Sequence, residues 1–190
     1  MEMQGTRQLA INQQQCWDAL NDPEILKQCI PGCDKIEATG ENPYSMAVSL
    51  KIGPLSAKFA GKIALADIKA PDSYTIAFEG QGGPAGFGKG SAKVQLKPNA
   101  DGVELVYTVQ ASVGGKIAQV GQRLIDGVAK SMAEDFFKRF DEAMQKRHPE
   151  AYAQKLDVAQ AVANDKPAGV PTWVWLAGGA ALVAAYLVLR

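Results

Sequence analysis

A glycine-rich segment, Gly80–Gly90 (GQGGPAGFGKG), has the composition of a phosphate-binding loop. From Gly83 to Lys89 it matches the start of the motif G-x-x-x-x-G-K-[S/T]. The last motif position is Gly90, where that loop needs a hydroxyl side chain to hold magnesium. The following residues, Ser91–Lys97, alternate as in a strand and do not predict the helix N-terminus that would bind phosphates. We therefore expect a glycine-rich hairpin loop at a cavity mouth or partner surface, and no nucleotide.

The cysteines, Cys16, Cys29 and Cys33, fit neither a disulfide framework nor a complete metal site. An odd number of cysteines in a cytoplasmic chain argues against disulfides. Cys29 and Cys33 are separated by three residues, which loosely suits a metal, but the sequence offers no second ligand pair. The single histidine, His148, lies far along the chain. We expect structural thiols and no bound metal.

The acidic residues do not form a catalytic pattern. Asp67 and Asp72 stand beside strand ends, where solvated turn residues explain them. The sequence shows neither a nucleophile elbow nor a cysteine–histidine pairing. Its 20 basic and 20 acidic residues cancel, which argues against a nucleic-acid-binding surface. We therefore predict no catalytic residue, no nucleic-acid partner and a protein that is not an enzyme.

Hydrophobic periodicity predicts an α+β chain. Residues 3–11 suggest a strand, and Asn12 can cap a short helix over Gln13–Leu20. A second short helix begins at Asp22-Pro23 and ends at Pro31-Gly32. Alternating runs bounded by turn residues then predict further strands over Lys35–Thr39, Tyr44–Lys51, Leu55–Ile68, Ser73–Glu79, Phe87–Lys97 and Val103–Val113. The short connections indicate an antiparallel meander.

A long helical pattern follows Gly114-Gly115 and runs to about Arg147. Its apolar residues recur every four positions, and each such step turns the stripe by about 40° on a helix of 3.6 residues per turn. The stripe is Leu124, Val128, Met132, Phe136, Phe140 and Met144. A helix that crosses a strongly curved sheet needs such a rotating contact face. We therefore predict a curved antiparallel sheet wrapped around a long C-terminal helix, enclosing an apolar space for one small ligand.

The early inner face of this helix is predicted to line that space. Gly121 either allows close backbone packing or leaves room for a ligand. Ordinary core packing explains each of the other positions equally well. The predicted ligand-cavity residues are Ile117, Val120, Gly121, Leu124, Val128 and Met132.

The chain ends on an apolar segment. Trp173–Leu189 carries no charge, and its 17 residues would form a helix about 25 Å long, against a hydrocarbon core of about 30 Å. Trp173, Trp175, Tyr186 and the terminal Arg190 are the predicted anchors at the membrane interfaces. We predict a main domain over residues 1–147, a linker over 148–172 and a transmembrane or membrane-anchoring helix over 173–190. The N-terminus has no apolar targeting run, so the main domain is expected in the cytoplasm.

Several ordered motifs resemble the CoxG family, named for the G subunit of carbon monoxide dehydrogenase. They are Leu26–Cys33 (LKQCIPGC), Ile52-Gly53-Pro54, the Gly80–Gly90 loop, Val113–Leu124 (VGGKIAQVGQRL) and the phenylalanines 136, 137 and 140. The resemblance covers about residues 1–145. The family belongs to the START-like, helix-grip (SRPBCC) superfamily, which agrees with the architecture predicted from periodicity.

The resemblance implies an accessory protein. Members of the family accompany molybdenum hydroxylases of the carbon monoxide dehydrogenase type and are thought to bring them to the cytoplasmic face of the bacterial inner membrane. Many members of the superfamily bind apolar ligands, so we expect a quinone or another lipid in the cavity and no covalently bound cofactor. Two loops are predicted to dock the partner: Cys29, Ile30, Pro31, Gly32 and Cys33, and Gly82, Gly83, Gly86, Phe87 and Gly88.

Three alternatives remain open from the sequence. The chain can be a docking module with a filled core that carries no ligand. It can be a START-like lipid-binding protein that serves another dehydrogenase. It can also be a START-like enzyme, which would need titratable groups inside the cavity.

Overall fold

The computed structural model describes residues 1–40 and 43–153. Within them, Met1–Ala153 form one compact unit. In chain order the elements are β1 (Glu2–Leu9), α1 (Gln13–Leu20), α2 (Pro23–Cys29), β2 (Cys33–Ala38), β3 (Pro43–Ile52), β4 (Leu55–Lys69), β5 (Ser73–Gln81), β6 (Phe87–Asn99), β7 (Gly102–Gly114) and α3 (Gln122–Arg147). Short 3₁₀ helices, Gly83–Ala85 and Lys116–Val120, precede β6 and α3.

The strands form one antiparallel sheet in the order β1-β7-β6-β5-β4-β3-β2. From β2 to β7 each strand pairs with the next one along the chain, which confirms the predicted meander. β1 pairs with β7, so β1 and β2 are the two edges and α1 and α2 carry the chain between them. Together with α3, this is the predicted α+β helix-grip architecture.

The first two helices begin where their capping residues predict. The side chain of Asn12 accepts a hydrogen bond from the backbone N–H of Gln15 at 2.8 Å, and the Gln15 side chain accepts one from the Asn12 N–H at 3.0 Å. This reciprocal capping box satisfies two amides at the start of α1 that have no partner inside the helix. At α2, Asp22 accepts from the Glu24 N–H, and Pro23 occupies the first helical position, where its missing N–H costs nothing.

The long helix starts later than predicted. Lys116–Val120 is a 3₁₀ helix, and Gly121 has a positive φ of 96°, which interrupts the right-handed helix before α3 begins at Gln122. The predicted apolar stripe is right at its end, where Phe140 and Met144 are fully buried. It is wrong at its start, because Leu124 is 40% exposed and the neighbouring Ile125 is buried instead.

The core gathers under the second half of α3. Its fully buried members come from several elements and include Ile11, Cys16, Cys29 and Val103 together with the α3 residues Phe140 and Met144. The end of α3 is held against the short helices, since Arg147 forms an ion pair of 3.1 Å with Asp22 and His148 lies 3.1 Å from the Gln15 amide. The second half of the helix is therefore held on both sides, by the sheet and by α1 and α2.

The predicted anchor residues, Trp173, Trp175, Tyr186 and Arg190, lie outside the described residues, as does most of the predicted linker. Among residues 1–40 and 43–153, no helix combines the length and the apolar composition needed to cross a membrane.

Candidate functional site

An apolar cavity of about 260 Å³ lies between the inner face of the sheet and α3. The helix covers it with Ala133, Phe136 and Phe137, and α1, α2, β2 and the segment after α2 contribute Leu20, Leu26, Ile30 and Ile36. The remaining aliphatic lining comes from the sheet: Met3, Ile63, Leu65, Ile76, Ala92, Val94, Leu105 and Val109. Three tyrosines, Tyr44, Tyr74 and Tyr107, supply the polar groups.

Strand register brings these residues together. Leu65 lies opposite Ile76, Ile76 opposite Ala92, and Ala92 opposite Val109, so one cross-strand row runs from β4 to β7. Because paired residues share a face of the sheet, all four side chains point at α3. Ala92 is the smallest of them and leaves space in the middle of the row.

A second row carries two of the tyrosines. Tyr74 lies opposite Val94, Val94 opposite Tyr107, and Tyr107 opposite Gly5 on the edge strand. A methyl group at Gly5 would collide with the Tyr107 hydroxyl, so a larger residue there would require the tyrosine ring to move. The Tyr107 ring stacks on Phe137 at a centroid distance of 5.2 Å. This contact joins β7 to α3 at one side of the cavity.

Burial changes the acidity of the groups at the other side. Tyr74 is only 4% exposed, and its burial, together with the nearby Cys16 thiol, raises the pKa of its hydroxyl well above the ordinary range. Burial likewise raises the pKa of the Cys16 thiol to about 12. Both groups therefore stay neutral at physiological pH. They can exchange hydrogen bonds, but they do not supply the ionised base or nucleophile that catalysis needs.

The predicted cavity residues lie elsewhere in the structure. None of Ile117, Val120, Gly121, Leu124, Val128 and Met132 is among the residues that line the cavity. Ile117 is buried, Val128 and Met132 are half-buried, and Val120 and Leu124 border a shallow groove with Pro54 and Leu55. No atom lies within 4 Å of a methyl group placed on Gly121, so its positive φ, and not close packing, explains the glycine.

The cavity lies further along the helix because α3 starts only at Gln122 and its bulky phenylalanines face the centre of the sheet. Phe137 also stands outside the period-four stripe, which contains Phe136 and Phe140. The sequence did carry a signal for the position of the cavity. Phenylalanines 136, 137 and 140 lie within five residues, and this cluster of large side chains indicates the part of α3 that faces the open inner surface of the sheet.

The two predicted docking loops come to the same end of the sheet. Cys33 pairs with Val48, Val48 pairs with Phe59, and the Phe59 ring lies where a side chain at Gly82 would project. Three strand spacings of about 4.8 Å put the loops roughly 14 Å apart. One partner surface can therefore contact both.

Packing already explains several residues of these loops. A side chain at Gly32 would collide with the Ser49 carbonyl, and one at Gly86 with the Gly114 carbonyl. Both glycines also have positive φ, as does Gly83. Cys29 is buried, Ile30 faces the cavity, and Pro31 and Cys33 are half-buried. Gly88 tolerates a methyl group, and Phe87, at 41% exposure, is the loop residue with an apolar side chain open to a partner.

No metal cluster is present in the part of the chain that the structure describes, where no three His, Cys, Asp or Glu side chains are placed to share an ion. All three cysteines are free. The site therefore consists of an apolar chamber with three tyrosine hydroxyl groups.

A curved antiparallel sheet gripping a long C-terminal helix around an apolar chamber defines a START-like, SRPBCC-type protein. A conserved protein from Geobacillus kaustophilus has the same fold, with a TM-score of 0.72 and 37% identity over 77% of this chain and 96% of that one. The match to the CoxG family, described as the G subunit of carbon monoxide dehydrogenase, extends over residues 5–145, and the chain belongs to this family.

More distant structures share the fold alone. A protein from Rhizobium leguminosarum superimposes with a TM-score of 0.60 at 15% identity, covering 77% of this chain and 95% of that one. The Zhui aromatase/cyclase from Streptomyces sp. R1128 superimposes with a TM-score of 0.59 at 13% identity, covering 77% and 94%. No curated protein is similar enough in sequence to count as a relative.

Proposed function

We propose that this protein is a membrane-anchored accessory factor without catalytic activity of its own. It recruits a molybdenum hydroxylase of the carbon monoxide dehydrogenase type to the cytoplasmic face of the bacterial inner membrane. In its cavity it binds an apolar ligand, a quinone or another lipid, and so links the soluble enzyme to the respiratory chain. The observation that carries the proposal is the CoxG family match over residues 5–145, on a domain whose cavity is apolar.

The chemistry of the cavity supports an apolar cargo. Its lining consists of aliphatic and aromatic side chains plus three tyrosine hydroxyls. A cavity lined in this way stabilises a ligand mainly by removing apolar surface from water, at about 25 cal/mol per Å². No aspartate, glutamate, histidine, lysine, arginine or cysteine lines the cavity, so the commonest acids, bases and nucleophiles of enzymes are missing from it.

A docking module without a ligand is the second candidate, and the cavity volume favours it. At about 260 Å³ the chamber is smaller than the roughly 300–1,000 Å³ of common ligand sites. It has room for a ring system but not for a whole isoprenoid chain. Ligand analysis of the purified protein separates the two candidates.

Ligand content is tested by mass spectrometry of solvent extracts from the purified chain. The proposal expects a quinone or lipid at near-stoichiometric amount in the natural protein. An Ala92→Leu variant, which fills the middle of the cavity, should lose it, whereas Ala77→Leu on the exposed outer face of the neighbouring strand should not. An extract that contains no quinone or lipid, with no uptake on addition, would favour the docking module.

Recruitment is tested by cell fractionation. Deleting residues 171–190 should release the protein, and with it the partner dehydrogenase activity, into the soluble fraction. Replacing residues 173–189 by an unrelated membrane anchor should restore both to the membrane. If the truncated protein still sediments with membranes, the proposed anchor is wrong. If only the dehydrogenase stays soluble when the anchor is restored, the recruitment role is wrong or the tail contacts the enzyme directly.

The docking surface is tested by a matched pair of exposed residues. Phe87→Asp should abolish co-purification of the dehydrogenase, because it places a charge at the exposed apolar position of the proposed surface. Ile68→Asp is the control, since Ile68 is equally exposed, at 42%, but lies near the far end of β4. Equal co-purification of both variants with the enzyme would place the docking surface elsewhere.

A further inference from the structure

One end of the domain carries basic side chains and no acidic ones. Three segments form it: residues 49–58 around the β3–β4 turn, residues 80–90 before and at the start of β6, and residues 114–124 from the end of β7 into α3. We call this end the basic tip. Its charged side chains are Lys51, Lys58, Lys89, Lys116 and Arg123. The whole chain has 20 residues of each sign, so the tip is a local asymmetry of charge.

Contacts between the three segments make the basic tip one surface. Gly53, in the β3–β4 turn, lies against the Leu124 side chain. Gly86, in the loop before β6, lies against Gly115, which follows β7. The turn, the loop and the start of α3 therefore lie side by side, and their positive charges act on the same partner.

Most of these charges have no partner inside the protein. Lys58 forms an ion pair of 3.0 Å with Asp34, whereas no ion pair among the described residues uses any of the other four. The first acid of α3, Asp126, accepts a hydrogen bond from Gln122. The exposed and unpaired basic residues are Lys51, Lys89, Lys116 and Arg123. Their charges are therefore available to an anionic surface.

A shallow apolar groove lies between the β3–β4 turn and the start of α3. It is lined by Pro54, Leu55, Val120 and Leu124, together with Lys116 and Gln119. Leu124 is 40% exposed and is one of three exposed large apolar side chains among the described residues. Apolar side chains surrounded by basic ones suit the boundary between lipid headgroups and acyl chains.

The opposite end of the domain has no such asymmetry. Strand β4 runs from the tip at Leu55 to Lys69, a distance of about 45 Å at about 3.3 Å per residue. Acidic and basic residues are mixed at that far end, where they include Asp67, Lys69, Asp72, Lys97 and Asp101. An anionic surface therefore favours the basic tip over the opposite end.

We propose that the basic tip binds the surface of an anionic lipid bilayer. Leu124 and its groove lie at the boundary of the acyl chains, and Lys51, Lys116 and Arg123 lie at the lipid phosphates. The inference rests on the membrane location in the proposed function and adds which end of the domain faces the bilayer. Lipid is favoured over an acidic protein because an anchored domain always has headgroups within reach. Phe87, the proposed contact for the enzyme, is not part of the groove.

The test measures how close each end of the domain lies to the lipid headgroups. Full-length protein is placed in phosphatidylcholine nanodiscs with or without phosphatidylglycerol. A bimane fluorophore is attached to Gln119→Cys in the groove, or to Ile68→Cys, an exposed position near the far end of β4. Cys33→Ser removes the half-buried thiol, and the other two cysteines are buried. A nitroxide on the headgroup quenches bimane that lies close to it.

With phosphatidylglycerol present, bimane at residue 119 should be quenched and bimane at residue 68 should not. Without phosphatidylglycerol, or at high salt, quenching at residue 119 should fall, because the attraction is electrostatic and is screened. Arg123→Gln should lower the ratio of bound to unbound tips about fivefold, the effect of one basic residue near an anionic surface.

A matched pair of triple variants separates the tip from net charge. Changing Lys51, Lys116 and Arg123 to glutamate should abolish the quenching at residue 119. Changing Lys69, Lys93 and Lys97 to glutamate alters the net charge equally and should leave the quenching unchanged. All six residues are exposed and outside the ion pairs of the described residues, so thermal unfolding should show that both variants fold.

Three results overturn the inference: quenching at residue 119 that does not depend on phosphatidylglycerol, equal quenching at residues 119 and 68, or a tip triple variant that is quenched like the parent. If that last variant also loses the dehydrogenase on co-purification, the tip binds an acidic protein surface instead. Failure of the protein to enter nanodiscs would overturn the proposed anchor. The tip is then tested by flotation of the same protein with phosphatidylglycerol vesicles, and absence of flotation would overturn the inference as well.

Discussion

Filling the cavity tests whether it is an empty chamber or a well-packed core. Ala92 lies on the inner face of β6, between Ile76 and Val109 in the cross-strand row under α3. Ala92→Leu adds about three carbon groups, each worth about 0.8 kcal/mol when buried. Loss of side-chain freedom offsets this by about 0.5–1 kcal/mol. We therefore expect the free energy of unfolding to rise by about 1–2 kcal/mol.

The control for this prediction is Ala77→Leu. Ala77 faces outward on the neighbouring strand and is exposed, so the same addition there should change stability by less than about 0.5 kcal/mol. Both variants are measured by urea unfolding of residues 1–153, the unit that holds the whole core cluster, after removal of bound lipid. The midpoint should shift without a change in the slope with urea concentration.

A destabilised Ala92→Leu protein would refute the reasoning. Overpacking a filled core costs about 1–3 kcal/mol. A loss of that size relative to Ala77→Leu would mean that the side chains leave no room above Ala92. The docking module without a ligand would then be the better account of the fold.

Other expected outcomes follow from burial and backbone geometry. Phe140→Ala should lower the free energy of unfolding by about 3–5 kcal/mol, because Phe140 is fully buried, whereas the exposed Leu124→Ala should cost less than about 1 kcal/mol in the same urea experiment. Gly86→Ala should destabilise by more than about 1 kcal/mol, since φ is 115° and the Gly114 carbonyl occupies the site of the methyl group. Gly127→Ala, in open space on α3, should instead stabilise the protein by up to about 1 kcal/mol. The stability changes of Gly86→Ala and Gly127→Ala are both measured by thermal unfolding. The pKa of Cys16 is raised from 9.0 to about 12, so the unfolded chain loses this proton first and stability should fall between pH 9 and pH 12. A Cys16→Ala variant should show a weaker decline over that range, and an unchanged decline would contradict the assignment.

Local sequence signals predicted the elements well because each is decided by neighbours in the chain. Asn12 and Gln15 form the capping box of α1 within four residues. The alternation of apolar and polar residues over Tyr44–Lys51 and Leu55–Ile68 marks two strands with one buried face each. Gly-Pro and Gly-Gly pairs marked the turns. The motif order also identified the family, since it depends on sequence alone.

The start of α3 was harder to predict. Ile117 and Val120 are three residues apart, and this spacing puts both on one face of either a 3₁₀ helix or an α-helix. Only the positive φ of Gly121 separates the two segments. A glycine inside a periodic pattern is compatible with either arrangement, so its backbone conformation had to come from the three-dimensional structure.

The sequence by itself determined the class of protein through a meander of alternating strands, a long amphipathic helix and the ordered motifs of the family. Only the tertiary structure decided where the chamber lies and what faces it. Residues far apart in the chain, such as Met3, Tyr74 and Phe137, meet there because strand register and the position of α3 bring them together. A cavity is the space that several elements leave between them, and no single segment encodes that space.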